Sequence, residues 1–252
     1  MDFKEYKQDD LSTDDEVNHW WIKTRFLYID YAASMLNQSI SVIEYGCGTG
    51  QNLRYLREYY SHSENIKSLT GVDINLPENY RPEWMTKDDK FINNNVDVDG
   101  DGDGDKYNML IAMDVFEHIE NDSDALREWV SNINDDSIVL ITVPAMQHLF
   151  SYHDRYMGHH RRYTRRSLME LGESAELHTV KVMYIFSYLY PVVFFIRKIL
   201  SKILKREEKS DLQKTNPYIN SILYSLGVVE NKLGACIPFG TSVVGIFQKK
   251  SK

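Results

Sequence analysis

Cysteine, positive charge and long apolar runs are all scarce in this chain, and each shortage narrows what it can be. The 252 residues contain two cysteines, Cys47 and Cys236, too few and too far apart for a disulfide framework or a zinc-ligand spacing. A reducing, cytoplasmic setting is therefore expected, and no metal site. The opening MDFKEYKQDDLSTDDE is acidic and polar, unlike a secretory or transit segment. The longest apolar run, Val182 to Ile196, covers 15 residues and is broken by Ser187 and Pro191. A bilayer span needs roughly 20. Lys and Arg number 29 against 37 Asp and Glu, and the resulting net charge of −8 disfavours a nucleic-acid partner.

What is present suits an ordinary globular domain, with 42% hydrophobic and 26% charged residues. From Thr13 to about Asn37 the pattern is helical. Thr13 is placed to cap, Asp14, Asp15 and Glu16 suit the positive end of the dipole, and Trp20, Trp21, Phe26, Leu27 and Ile29 supply apolar contacts. Short β-branched or apolar runs follow at Ser39–Glu44, Ser68–Ile74, Leu110–Met113 and Ile138–Val143. Helical segments at 52–60 and 123–132 are interleaved with them. Strands alternating with helices predict βαβ units and a Rossmann-like, doubly wound, mostly parallel sheet. Beyond it, a short helix at 167–171, a strand at 178–184 and a final antiparallel strand at 241–248 are expected. The whole reads as one domain: a lid helix over 1–37, a core over 38–181, an apolar and basic helical addition over 182–240, and a strand and tail over 241–252. The tract from Asp97 to Asp105 reads as a flexible, solvated insertion. It lacks the final glutamate of a calcium loop, Asn108 standing there instead.

The chemistry concentrates at Glu44-Tyr45-Gly46-Cys47-Gly48-Thr49-Gly50, directly after a strand and before a helix. Glycines there allow a sharp turn and bring bare amides to a ligand. Taken alone they could form a plain turn. Their spacing is G-x-G-x-G rather than the dinucleotide pattern, and an acid precedes them. This segment resembles the first motif of class I S-adenosylmethionine methyltransferases, E/D-x-G-x-G-x-G. The resemblance implies that Gly46, Gly48 and Gly50 pack against the methionine part and ribose of the donor, with Cys47 beside them, and that Glu44 holds the loop and the donor's amino group. Asp73 in GVDI matches the acid at the end of the next strand, whose carboxylate accepts both ribose hydroxyls, with Ile74 next to it. Its bland alternative is a helix cap. Asp114-Val115-Phe116-Glu117-His118-Ile119 resembles the D-V-x-E-H-I segment of the same superfamily, which makes Asp114 a donor contact. Glu117 and His118 are read first as braces of the following helix. The adenine pocket falls somewhere in 93–97.

Two further stretches resemble a subgroup related to ubiquinone-biosynthesis O-methyltransferases. Glu16 to Arg25 matches E-x-x-H-[WF]-W-x-x-x-R, which implies that Arg25 binds the methionine carboxylate; the alternative is an aromatic stripe in the core. Ser151 to Tyr163 matches S-x-x-D-x-x-x-G-H-x-R-R-Y in the loop that reaches the acceptor. O-methylation needs a base, and histidine titrates in the right range. His159 is the first choice and His160 the second, with Asp154 orienting the imidazole. Arg161, Arg162 and Tyr163 are assigned to substrate binding; a salt-bridged brace is the competing reading. An aromatic-rich run followed by Arg197, Lys198, Lys202, Lys205, Arg206 and Lys209 suits either a peripheral membrane contact through 182–209 or a solvated helix face. The expected activity is S-adenosylmethionine-dependent methyl transfer to a small or lipid-like molecule, foremost O-methylation. A macromolecular acceptor or a non-catalytic donor-binding protein are the alternatives.

Overall fold

The structure, a computed structural model, describes residues 17–37, 39–77, 79–93, 107–200 and 216–251. Thr13 with its acidic neighbours, Glu16, the 97–105 insertion and the cations at 202, 205, 206 and 209 lie outside these residues, as does the adenine segment beyond Asn93.

Seven strands form one sheet: β1 (Ile40–Tyr45), β2 (Ile66–Val72), β3 (Lys90–Ile92), β4 (Tyr107–Met113), β5 (Ile133–Pro144), β6 (Leu177–Ile185) and β7 (Ser242–Lys249), in the order β3-β2-β1-β4-β5-β7-β6. The first five run parallel, and β7 inserts antiparallel between β5 and β6. This is the Rossmann-like arrangement expected. Every residue of β1 is buried, because a central parallel strand is covered on both faces. Alternation divides its side chains: Ile40 and Val42 enter one apolar cluster, Ile43 and Tyr45 the other.

Helices α1 (Trp20–Ser34) and α2 (Gln51–Glu58) cover the first face, where Phe26 stacks on Tyr55 with centroids 3.8 Å apart. Helices α3 (Asp122–Ser131) and α5 (Arg165–Ser174) cover the second, where Trp129 stacks on Tyr45 at 4.2 Å. Between them α4 (Tyr152–Tyr156) carries the acceptor-side loop. After β6 come α6 (Tyr190–Phe195), a π turn over Ile196–Leu200, and α7 (Pro217–Leu233).

Two boundaries differ from expectation. β5 starts at Ile133, five residues early, because a register shift between Tyr107 and Met109 lets the polar stretch Asn134–Asp136 extend the strand in solvent, where no apolar alternation marks it. The core does not end at 181 either: Val182–Ile185 complete β6, paired with β7. Among the described residues no helix is long and apolar enough to cross a membrane.

Candidate active site

β1 and β4 are neighbours where the strand order reverses, and the crevice beyond their carboxyl ends is where an open α/β sheet binds its ligand. Glu44 lies at the end of β1, Asp73 just past β2 and Asp114 just past β4. The fold thus brings all three acids to one edge.

The glycine loop connects them. Gly46, Gly48 and Gly50 have φ of 67°, 53° and 80°. A Cβ on Gly46 would sit 2.4 Å from Cγ2 of Val115, and one on Gly50 2.4 Å from the ring of Phe91. Both conformation and space therefore demand glycine. The Gly46 and Cys47 amides donate to the Val72 carbonyl at 2.8 and 3.2 Å. Gly48 N–H donates to Asp73 Oδ2 at 2.9 Å, and Asn75 N–H to Asp73 Oδ1 at 2.9 Å. Asp73 thereby braces the loop from the next strand. A carboxylate offers about four acceptor sites, enough to receive ribose hydroxyls too. Ile74, 73% exposed, stands at the lip. Cys47 is buried, and burial pushes its thiol well up.

Glu44 is buried as well. Its Oε1 accepts from Asn52 Nδ2 at 2.6 Å, while Oε2 has no hydrogen-bond partner. Burial pushes this carboxyl up to about 8, against the opposing pull of the Asn52 bond and the Arg25 charge. An orphaned buried carboxylate oxygen at the mouth of this loop fits a group carrying an ammonium. Arg25 reaches in from α1, its guanidinium 4.4 Å from the Trp21 ring and Nη1 3.2 Å from Asp114 Oδ2. The carboxylate partner foreseen for Arg25 is, in this structure, a protein one. Asp114 adopts φ 55°, a region aspartate tolerates better than most residues. The cleft among Ile22, Arg25, Glu44, Gly46, Asn52 and Met113 is narrow, about 20 Å³. Asn52 was not foreseen as a site residue; its place in the first turn after the glycine loop was the available signal. Trp20 takes the core role, edge-on to Phe186 at 5.7 Å.

The acceptor-side loop is organised by Asp154, which is fully buried. Its Oδ1 accepts from Arg162 Nε at 2.6 Å and lies 3.2 Å from His159 Nδ1. Its Oδ2 accepts from the Ser151 amide at 2.8 Å and from Arg197 Nη1 at 3.3 Å. Burial alone would raise this carboxyl, but the His159 contact and the charges of Arg162 and Arg197 outweigh it and hold it well below the usual carboxylate range. The contact holds the His159 ring through Nδ1 against a carboxylate kept ionised by its arginines.

The other residues of this loop are engaged with the protein itself. Arg162 is buried and also donates to the Ala145 carbonyl at 2.9 Å. Tyr163 is buried, its hydroxyl 2.7 Å from Asp122 Oδ2. Arg161 binds Asp122 at 3.1 Å and the Glu120 carbonyl at 2.6 Å. These three fix the loop to the end of β5 and the start of α3, the contacts of a brace. His160 is exposed, and its amide rather than its ring meets Glu117, donating to that carbonyl at 2.7 Å.

A grouping that spacing did not reveal appears beside His159. The rings of His118 and His159 meet edge to face with centroids 4.6 Å apart. One donor atom from each of Glu117, His118 and His159 falls within a 4.8 Å sphere of mutual distance. Glu117 and His118 thus lie directly beside the His159 imidazole.

Fold and cleft together define an S-adenosylmethionine-dependent methyltransferase. The chain belongs to the methyltransferase-domain family, whose profile matches residues 22–182. Solved structures agree in fold. Phosphoethanolamine N-methyltransferase 2 of Haemonchus contortus, in complex with S-adenosyl-L-methionine, aligns with TM-score 0.55 and 10% identity over 99% of this chain and 59% of its own. A SAM-dependent methyltransferase of Archaeoglobus fulgidus aligns with TM-score 0.52 and 17% identity over 91% and 94%. The O-methyltransferase of a trans-AT PKS multienzyme of Brevibacillus brevis, in complex with S-adenosyl-L-homocysteine, gives 0.50 and 16% over 89% and 71%. No curated protein sequence matches the chain. The cofactor is S-adenosylmethionine, and its sulfonium supplies the methyl group.

Proposed function

We propose that this enzyme methylates a hydroxyl of a small or lipid-like acceptor in the cytoplasm, with His159 as the base, as in the ubiquinone-type subgroup its two end motifs resemble. Glu44 and the glycine loop would hold the amino-acid end of the donor, and Asp73 its ribose. Named neighbours of this fold include both N- and O-methylating enzymes, so the choice of oxygen rests on His159. The observation that carries it is the Asp154–His159 contact: a buried carboxylate, locked by two arginines, holds one imidazole through Nδ1. Orienting a base in this way supports proton removal as the methyl group moves. Arg25 would have to leave Asp114 to take the donor carboxylate.

The test is methyl transfer from labelled donor to phenols, sugars and isoprenoid lipids, with RNA and protein fractions beside them. On a confirmed acceptor, His159→Ala should lower turnover roughly 100-fold or more, the usual worth of a positioned base, with donor affinity unchanged. Full activity in that variant would remove His159 from the chemistry. A chelator arm addresses a second reading that the Glu117, His118 and His159 grouping favours. Activity lost to chelation and restored by a divalent cation would make these residues metal ligands.

A further inference from the structure

Helix α7 shows apolar side chains on the face turned away from the protein. Its inner face is fully engaged with α1 and the chain after β6. Asn220 accepts from the Trp20 amide at 2.8 Å and donates to the Asn18 carbonyl at 3.0 Å. Gly227 lets Thr24 come so close that a Cβ would sit 2.7 Å from it. Buried Glu230 accepts from the Phe186 and Ser187 amides at 2.5 and 2.6 Å. The outer face carries Ile219, Ile222, Leu226, Val229 and Leu233, exposed by 52, 60, 42, 53 and 58%. Glu230 and Lys232 are the helix's charged residues, and Glu230 points inward, so a single lysine is the only charge on the outer side. On α6, Val192 and Phe195 are 57 and 53% exposed. Apolar surface of this extent on one helix marks a contact site.

Its 3-4-3-4 spacing would suit a helix of a second copy. Charge argues against that. The sequence from 197 to 214, which joins α6 to α7, holds seven Lys and Arg against three Asp and Glu, in a chain whose net charge is −8. So cationic a sequence is complementary to an anionic surface, whereas a second copy brings the same excess of cations. We propose that the outer face of α7, with the exposed side of α6, docks on an anionic lipid bilayer, the helix lying in the plane of the interface. Tyr218, 82% exposed at the start of α7, has the amphipathic ring favoured at that depth. The attachment would also carry the acceptor side to the membrane. Arg197, just past α6, reaches the Leu149 carbonyl and Asp154, and Tyr190 on α6 lies 2.7 Å from His148 Nε2. This inference stands independently of the acceptor and base proposed above.

The full chain is sedimented with vesicles of phosphatidylcholine alone and of phosphatidylcholine mixed with phosphatidylglycerol. Binding is expected to the mixed vesicles, and to weaken about tenfold as salt rises from about 0.1 to about 1 M, where screening shortens from about 10 to about 3 Å. The neutral double variant Ile222→Ser, Leu226→Ser should bind at least about tenfold more weakly, since both removed side chains would lie in the interface. Unchanged donor affinity and thermal midpoint in that variant establish that it is folded. Equal binding by the variant, or no binding of the wild type to mixed vesicles, overturns the proposal. So does a wild-type dimer in sedimentation velocity that the same variant splits, which would assign the face to a second copy.

Discussion

Donor affinity should climb with pH through one buried carboxyl, Glu44. In the folded protein that group titrates near 8 rather than at its usual 4.5, so between these values the folded protein holds a proton that the unfolded chain releases. Its contribution to stability therefore falls as pH rises from 4.5 through 8. A donor whose ammonium faces Glu44 selects the ionised form. With a midpoint near 8, about 1% of Glu44 is ionised at pH 6 and about 10% at pH 7, so affinity should rise about tenfold, or about 1.4 kcal/mol, over that unit. The window stops at pH 7 because an α-amino group is still protonated there. Isothermal titration in two buffers of different ionisation enthalpy should report close to one proton released per donor bound at pH 6. Glu44→Gln keeps an acceptor for Asn52 but cannot ionise; it should flatten the pH profile and abolish the released proton. A wild-type affinity that does not change between pH 6 and 7, with heats independent of buffer, would refute the placement of the ammonium at Glu44.

The other expectations concern neighbouring parts of the site. Asp73→Ala should weaken donor binding by about 10- to 100-fold, the worth of one or two charge-assisted hydrogen bonds, measured by the same titration. Gly46→Ala puts a Cβ against Val115 at a positive φ; a loss of about 1–3 kcal/mol in denaturant unfolding is expected, with donor binding impaired. Asp154→Asn leaves Arg162 and Arg197 without their carboxylate and should cost about 3–5 kcal/mol, the usual result of breaking a buried pair. Because that carboxyl is held below its ordinary range, its stabilisation is present above the normal carboxylate pKa and is lost as pH falls below it; acid unfolding of the variant should begin from a lower plateau and show a shallower slope.

The glycine-loop half of the candidate site was legible in the sequence because its geometry is local. Glu44 and three glycines within seven residues form one turn between a strand and a helix, and Asp73 and Asp114 each follow a recognisable apolar strand. Residue type and position along the strand were enough to place them at one sheet edge. The acceptor half was legible in membership but not in direction. The motif from Ser151 to Tyr163 supplied Asp154, His159, Arg161, Arg162 and Tyr163, yet nothing in their spacing says which point inward. Partners 17 to 43 residues away decide that: Ala145 for Arg162, Asp122 for Arg161 and Tyr163, Arg197 for Asp154. The early start of β5 was hidden for a related reason, since a bulged, solvent-facing pair carries no apolar period.

Those distant partners change what the carboxy-terminal addition is for. Read as sequence, 182–240 is an apolar run and a cationic stretch that look separable from catalysis. In the fold, Arg197 supplies one of the two guanidinium groups on Asp154, and Asp154 orients His159. Glu230 on α7 meanwhile ties down the amides of Phe186 and Ser187, from which α6 departs. Glu230 thus fixes the start of α6, and Arg197, just past its end, reaches the carboxylate beside His159. The addition is therefore part of the framework around Asp154 as well as a cover for the sheet.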